Sequence, residues 1–194
     1  MLALAAALAA PTPVPSSVAA APAAAPSPAA STAQTDAAET DAAFDALAEQ
    51  VRDAMDAAGE AVRRHFLLHV TPEGLVIEIV DASDAPLFAS GSAEAEQTLR
   101  GLIGVIAPVL GMTANPLKVV GHTDSRPFGR PGSDNWRLST ARANTARVLM
   151  EQAGLARERF AEVAGRAATE PLVEDAEAPQ NRRIALTLLR TPAR

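Results

Sequence analysis

The chain has 194 residues, of which 48% are hydrophobic and only 3% aromatic, and its formal net charge is −6. This length allows one folded domain with a tail, and the acidic balance argues against nucleic-acid binding, which usually needs a basic domain. Because the sequence contains no cysteine, disulfide bonds, thiol catalysis and acylation of a lipoprotein cysteine are excluded.

The charges are divided unevenly along the chain. Residues 1–117 contain 4 basic and 14 acidic residues, whereas residues 118–194 contain 13 basic and 9 acidic residues. The C-terminal part is therefore basic, which would attract a ligand that carries a carboxylate. Solvated arginines on helix surfaces would give the same count, so the charge alone does not define a site.

The first 38 residues have the composition of a tether. Residues 1–10 are apolar but are fewer than the roughly 20 residues that cross a bilayer. A signal peptide would require a basic residue near its start, but no basic residue precedes Arg52. Residues 1–10 are therefore interpreted as a signal-like segment or as the end of a truncated membrane helix. Residues 11–38 are rich in Ala and Pro, with six prolines between positions 11 and 28, which predicts a disordered linker.

Residues 39–64 have the pattern of a helix with an apolar seam. The seam residues alternate in steps of four and three, which is the spacing of a heptad repeat. Two interpretations remain open: the seam pairs with a second copy of the chain, or it packs on its own domain. The residues of this seam are Phe44, Ala48, Val51, Met55, Ala58 and Val62.

Residues 65–190 begin with a predicted β-hairpin. The strands are His65–Thr71 and Leu75–Val80, and the turn between them contains Pro72 and Gly74, which is a hairpin signal. Successive side chains of a strand point to opposite faces, so the face of the second strand away from Glu78 is predicted to face the core. The side chains on this face are Leu75, Ile77 and Ile79.

Two longer helices and three more strands complete the predicted domain. An amphipathic helix covers Ala93–Leu110, and a second helix runs from Asp134 or Asn135 to about Ala153. Strands that alternate with two main helices predict an α/β (α+β) two-layer sandwich, with the helices packed on a mixed sheet. The remaining strands are Leu117–Val120, Phe160–Ala164 and Ile184–Leu189.

The second helix carries two different faces. One is predicted to face the core, and the other, with Asn135, Ser139 and Arg142, lies near the helix start. A helix N-terminus offers unpaired N–H groups and a partial positive charge, and an arginine beside it suits a carboxylate. Asp124, after the preceding strand, is placed to hold a cation, so the pattern predicts a pocket for a zwitterion. The predicted core face comprises Leu138, Ala141, Thr145, Val148, Leu149 and Gln152.

Three motifs carry a family resemblance. GHTD, NWRLSTARA and QNRRI occur in this order, and EGLVIEIVD and LFASGSA precede them. Together they resemble the OmpA/MotB-type peptidoglycan-binding domain over about residues 62–190, and the upstream motifs and the longer loop with Trp136 are similar to the MotB branch. The resemblance implies an OmpA-like fold that binds peptidoglycan without catalysis.

The resemblance also implies roles for individual residues. Asp124 would bind the amine of the diaminopimelate side chain and Arg142 its carboxylate. Asn135 would contact the ligand besides capping the helix, while Thr123 and Leu138 would line the pocket, although Leu138 also fits the core. Alternative roles are open for the remaining candidates: Asn181 and Arg183 reach the pocket rim or pin the last strand to the Asp124 loop, and Trp136 stacks on the wall if exposed or packs if buried. Of these, Arg183 is predicted as the sixth ligand-binding residue.

For the whole protein, the resemblance implies a flagellar motor stator anchored to the cell wall. It would be a homodimer with its periplasmic domain tethered to the inner membrane, and a MotA-like channel subunit would be its partner if the full-length protein carries a membrane helix. The alternative is a general OmpA-type exported wall-anchoring protein that is not linked to motility. No cofactor and no nucleic acid are implied.

A hydrolase is the competing hypothesis from another class. Ser139 is its candidate nucleophile, but the sequence has neither a nucleophile elbow nor a glycine-rich phosphate loop. The three histidines, His65, His69 and His122, lack the spacing of a metal motif. The sequence therefore predicts no catalytic residue and no metal ligand.

Overall fold

The computed structural model describes residues 28–127 and 134–190. The apolar segment 1–10 and residues 11–27 of the predicted linker lie outside this part of the chain. Among the helices that are described, none combines the length and the apolar character required of a membrane span.

In the described part of the chain, five strands form one mixed sheet: β1 (Phe66–Val70), β2 (Gly74–Val80), β3 (Leu117–His122), β4 (Phe160–Gly165) and β5 (Arg183–Leu189). Their order in the sheet is β1-β2-β5-β3-β4, with β3 and β4 parallel and every other pair antiparallel. The predicted hairpin and the predicted mixed sheet are therefore confirmed. The centre of the sheet is β5, so the C-terminal strand joins the hairpin to the strand that leads into the candidate site.

The helices are α1 (Pro28–Ala57), α2 (Glu60–Arg63), α3 (Gln97–Gly111) and α4 (Asn135–Gln152). The predicted fold class, an α+β sandwich with two main helices on one sheet, is confirmed by α3 and α4. The helix α3 begins four residues later than predicted, because a β-bridge between Phe88 and Ala95 occupies the preceding segment. The predicted core-facing side chains of β2 are all buried. The apolar side chains along one face of the predicted amphipathic helix are buried as well: Ala95, Leu99, Leu102, Ile103, Ile106 and Leu110.

The first helix differs from its prediction at both ends. It begins at Pro28 instead of Glu39, so residues 28–38 are helical although the sequence assigned them to the linker. Proline is well suited to the first position of a helix, and the alanines that follow favour helix formation. The predicted helix is also interrupted at Gly59, whose φ of 95° separates α1 from α2.

The apolar seam of α1 packs on its own domain. Phe44, Ala48, Val51 and Met55 are each at most 4% exposed and belong to the common core, and α1 contacts α3, β1 and β2. Of the two interpretations of the seam, the structure therefore supports intramolecular packing. A dimer contact through the same side chains would require α1 to leave the domain.

Candidate functional site

The start of α4 lies directly against the ends of β3 and β4 because both strands have a glycine there. A Cβ atom at Gly121 would lie 2.2 Å from the backbone oxygen of Ser139, and one at Gly165 would lie 2.4 Å from the backbone nitrogen of Thr140. Any other residue would push the helix away. The Asp134 side chain caps α4 by accepting a hydrogen bond of 2.7 Å from the Arg137 backbone nitrogen, as predicted for an N-cap residue.

This close approach determines which face of α4 is buried, and the predicted core face was wrong. Only Leu149 of that predicted set is buried, whereas Ala141 and Gln152 are exposed and the other three are half-buried. Because the helix lies so close to the sheet, only small side chains fit between them. The face that turns inward near the helix start is therefore the one with small and polar residues. The buried residues of α4 are Ser139, Arg142, Ala143, Ala146, Leu149 and Met150.

A groove of about 900 Å³ lies between the start of α4, the segment after β3 and the loop that precedes α3. It brings together five of the six predicted ligand-binding residues and adds Asp81 and Arg182. Its lining residues are Asp81, Pro86, Phe88, Ala89, Ser90, Gly91, Ser92, Glu96, Thr123, Asp124, Arg126, Pro127, Asn135, Leu138, Arg142 and Arg182.

Arg142 is only 5% exposed, although it lies outside the predicted core face of the helix. Its Nε donates a hydrogen bond of 2.9 Å to the Ser92 backbone oxygen, and its guanidinium carbon lies 5.0 Å from the ring centroid of Phe88. Burial and, to a smaller extent, the positive charge of Arg182 lower the pKa of Arg142 to about 10, although Asp81 and Asp124 oppose the shift. Arg142 therefore remains cationic at neutral pH, as part of the groove wall.

Asp124 already has a cationic partner, which the sequence interpretation missed. Arg182 donates from Nη1 to Asp124 Oδ2 at 2.8 Å and from Nε to Asp81 Oδ2 at 2.6 Å. Burial alone would lower the pKa of Arg182, but its hydrogen bonds to Asp124 and Asp81 outweigh burial and raise the pKa above its ordinary value. Asp81 is itself held by the Leu87 backbone nitrogen at 2.8 Å.

Arg183 does not line the groove, so its predicted place at the rim was wrong. Neighbouring residues at a strand point to opposite faces of the sheet, and Arg183 lies on the face away from the buried side chain of Ile184. Its Nε binds Glu78 Oε1 at 2.8 Å, and its Nη1 donates to the Glu170 backbone oxygen at 3.1 Å. Two successive arginines in QNRRI were a sequence signal that only one of them faces the groove.

Asn181 has a structural role, but its contacts differ from the predicted link between the last strand and the Asp124 loop. Its Oδ1 accepts hydrogen bonds from the backbone nitrogens of Leu172 and Val173, and its Nδ2 donates to the Asp175 backbone oxygen. All three contacts lie in the segment between β4 and β5. Asn181 therefore holds this segment in place and is absent from the groove lining.

Three further predicted residues line the groove with different local roles. Asn135 donates from Nδ2 to the backbone oxygens of Asp124 and Arg126, each at 3.2 Å, so it holds the segment after β3 against α4. Thr123 is 3% exposed, and its Oγ1 finds no hydrogen-bond partner within residues 28–127 and 134–190. Leu138 is half-buried and contributes apolar surface to the groove.

Ser139 and His122, the candidates for hydrolysis and metal binding, lie in positions that do not suit these roles. Ser139 is fully buried, and its Oγ donates to the Trp136 backbone oxygen and accepts from the Ala167 nitrogen, each at 3.0 Å. Burial, together with the nearby charges of Arg183 and Arg166, lowers the pKa of His122 to about 4. In the described part of the chain, no group of acidic residues and histidines is arranged to hold a metal ion.

The fold and the groove together define a two-layer α/β domain with a polar, charged groove at one end of its sheet. The model of the OmpA family matches residues 87–185, which is just over half of the chain. The chain therefore belongs to the OmpA family, whose members are structural binding domains.

Similarity to individual proteins extends beyond the family match. The chain is 38% identical over 136 residues to Motility protein B of Escherichia coli K12, and this alignment covers 69% of the chain but 44% of that protein. The chain therefore spans less than half the length of the curated relative.

Solved structures give a similar result. The cell wall anchor of the T6SS from Pseudomonas aeruginosa is 30% identical, with a TM-score of 0.60 over 75% of this chain and 97% of that one. A periplasmic domain of Helicobacter pylori MotB has a TM-score of 0.57 over 66% of this chain and 80% of that one. Its 18% identity supports the shared fold alone.

Proposed function

We propose that this domain binds peptidoglycan non-covalently and that the groove holds the zwitterionic end of the diaminopimelate side chain. The observation that carries the proposal is that Asp124 and Arg142, both less than 10% exposed, line one groove. The Asp124 carboxylate would receive the ligand amine, and the Arg142 guanidinium would receive its carboxylate.

The chemistry of Arg142 suits this role. A guanidinium can hold a carboxylate with two parallel hydrogen bonds, and the hydrogen bond to the Ser92 backbone and the Phe88 ring restrict the arginine side chain before a ligand arrives. The buried hydroxyl of Thr123 offers a further hydrogen bond to a ligand. A restricted binding group loses less conformational entropy on association, which favours affinity.

The groove is better suited to binding than to hydrolysis. A nucleophile must reach the reacting carbon, but Ser139 is fully buried and both of its hydrogen bonds go to backbone groups. We therefore expect no release of soluble fragments when the protein is incubated with purified sacculi. Release that Ser139→Ala abolishes would contradict the proposal.

For the whole protein we propose a flagellar motor stator that this domain anchors to the cell wall. The identity to Motility protein B supports this role. The proposed stator role implies a periplasmic location for the domain, a tether to the inner membrane, a homodimer and a MotA-like channel subunit as partner. Wall anchoring of a different machine is the second candidate, because the cell wall anchor of the T6SS is 30% identical over nearly its whole length.

Co-sedimentation with purified diaminopimelate-type sacculi tests the binding role. We expect the parent protein to pellet and both Asp124→Ala and Arg142→Ala to stay in the supernatant. Arg52→Ala is the control for Arg142→Ala. Arg52 lies on the exposed side of α1, so this change removes a positive charge at a position away from the groove. Circular dichroism establishes that each variant is folded, and a folded parent that does not pellet would contradict the proposal.

Complementation separates the two candidate machines. The domain would be exchanged for the corresponding part of Motility protein B in a motile host, and swimming would be measured on soft agar. Restored swimming that Arg142→Ala abolishes supports the stator. Wall binding without any restored swimming favours the second candidate.

A further inference from the structure

The charged side chains that line the groove balance one another. Three are carboxylates, on Asp81, Glu96 and Asp124, and three are guanidinium groups. The net charge of the described lining is therefore zero, which suits a ligand group that carries both charges better than an amine or a carboxylate alone. The guanidinium groups belong to Arg126, Arg142 and Arg182.

Arg182 differs from the other two arginines because it lies between two carboxylates. The side chains of Asp81 and Asp124 are 6% and 10% exposed, and that of Arg182 is 24% exposed. Water therefore screens these charges less than it screens those of an exposed ion pair. Because the Leu87 backbone holds Asp81, Arg182 has a fixed position next to the carboxylate that would receive the ligand amine.

From this arrangement we infer that Arg182 determines specificity: its charge beside Asp124 makes the groove prefer a group with adjacent amine and carboxylate over a simple amine. This inference rests on the proposed binding of diaminopimelate. A lone ammonium would gain the attraction of Asp124 but suffer the repulsion of Arg182. A zwitterionic group is compensated, because its carboxylate is attracted by both Arg142 and Arg182.

The alternative is that Arg182 only ties the start of β5 to the groove wall. Two changes separate the alternatives, because Arg182→Lys keeps the charge and loses the planar fork, whereas Arg182→Gln loses the charge. A structural tie predicts that both variants weaken all ligands in equal proportion. A charge role predicts that Arg182→Gln alone changes the preference between ligands.

Calorimetric titration with three small ligands tests the inference. The ligands are meso-diaminopimelate, cadaverine, which has the same amine spacing without the carboxylates, and pimelate, which has the carboxylates without the amines. For the parent we expect the tightest binding to diaminopimelate. For Arg182→Gln we expect the preference for diaminopimelate over cadaverine to fall by about tenfold or more, equivalent to about 1.4 kcal/mol. Arg182→Lys should keep most of this preference.

Two further variants serve as controls for the effect of charge on ligand preference. Arg52→Gln removes the same charge from an exposed side chain of α1 that does not line the groove, so its preference should stay close to that of the parent. Asp81→Asn can still accept the Leu87 hydrogen bond but removes a negative charge from the groove. It should therefore shift the ligand preference toward pimelate, which is opposite to the effect of Arg182→Gln. This variant also tests the charge role should Arg182→Gln fail to fold.

The outcomes separate a failure of the proposed function from a failure of the inference about Arg182. A folded parent that does not bind diaminopimelate contradicts the proposed function itself. A parent that binds it, combined with an unchanged preference in Arg182→Gln and in Asp81→Asn, overturns the inference about Arg182 and leaves the proposed function intact. An equal change in Arg52→Gln and Arg182→Gln also overturns it, because the effect would then come from overall charge.

Discussion

The helices α3 and α4 pack on the same sheet, but different forces orient them. In α3 the buried positions are large aliphatic side chains such as Leu99 and Ile106, and their helical spacing predicts the buried face. In α4 the buried positions near the sheet are small or polar, and the glycines of β3 and β4 set the distance. Hydrophobic spacing therefore predicts a helix face where large side chains fill the contact, and fails where backbones approach closely.

The difference also explains why the candidate site lies at α4. A helix held by aliphatic packing exposes its polar residues to solvent, as α3 does. A helix held by small residues can turn polar side chains into the protein, and here it turns in Ser139 and Arg142. The close approach of α4 to the sheet thus places a buried arginine in the wall of a groove.

The largest effect is expected from truncating a side chain of the α3 core. Ile106 is completely buried, so Ile106→Ala should lower the free energy of unfolding by about 2–5 kcal/mol. The corresponding change on α4 is Val148→Ala, at a position predicted as core but found half-buried, and it should cost less than about 1.5 kcal/mol because fewer and less buried methyl groups are removed. Chemical denaturation measures both, and equal losses would contradict the proposed contrast between the helices.

The glycine contact of α4 can be tested with two glycine-to-alanine changes. At Gly121 the added Cβ would meet the Ser139 backbone oxygen at 2.2 Å, so Gly121→Ala should destabilise the fold by about 1–3 kcal/mol and weaken sacculus binding by displacing α4. At Gly104, on the exposed side of α3, the added Cβ meets no atom within 4 Å. Gly104→Ala should therefore stabilise the protein by roughly 0.5–1 kcal/mol.

Thermal denaturation followed by circular dichroism, together with co-sedimentation, measures these two variants. The proposed contact is wrong if Gly121→Ala melts and pellets like the parent. A loss of stability in Gly104→Ala similar to that in Gly121→Ala would show that the effect of alanine is unrelated to the approach of α4.

Arg142 should contribute to stability as well as to binding. Its loss removes the hydrogen bond to Ser92 and the contact with Phe88, so Arg142→Ala should cost about 1–3 kcal/mol besides preventing wall binding. Arg142→Lys keeps the charge but cannot reproduce the planar fork, so it should bind weakly. Urea denaturation beside co-sedimentation separates the two effects, and a folded Arg142→Lys that binds like the parent would argue against two-point recognition of a carboxylate.

The smallest effect on stability is expected at Trp136, which is 51% exposed near the start of α4. Trp136→Ala should change the free energy of unfolding by less than about 0.5 kcal/mol. If its ring stacks on the wall, sacculus affinity should fall by roughly two- to tenfold. Unchanged affinity would mean that the exposed ring does not contribute to binding.

Much of the fold could be predicted because neighbouring residues carry the signal. The turn between Thr71 and Gly74, the alternating residues of β2 and the stripe of α3 are all local patterns, and the structure confirms them. The length of α1 was underestimated because prolines before position 28 suggested a linker that continued to residue 38. A heptad spacing also could not decide between a second copy of the chain and its own core.

The candidate site was predicted in part. The motifs around Asp124 and Arg142 indicated two residues that do line one groove, with Thr123, Asn135 and Leu138 beside them. The prediction selected Arg183 and overlooked Arg182, because the two are adjacent in sequence and identical in chemistry. Only the pairing of β5 with β2 and β3 determines which of them faces Asp81 and Asp124.

The sequence by itself determined the elements of the domain, their mixed sheet and the motifs that supply the charged groups of the groove. Tertiary structure alone decided the rotation of α4, the burial of Arg142, the intramolecular packing of α1 and the position of Arg182. These depend on contacts between distant residues: Arg182 and Asp81 are 101 positions apart. Local propensity has no information on such contacts, since they form only when the strands pair and the glycines admit the helix.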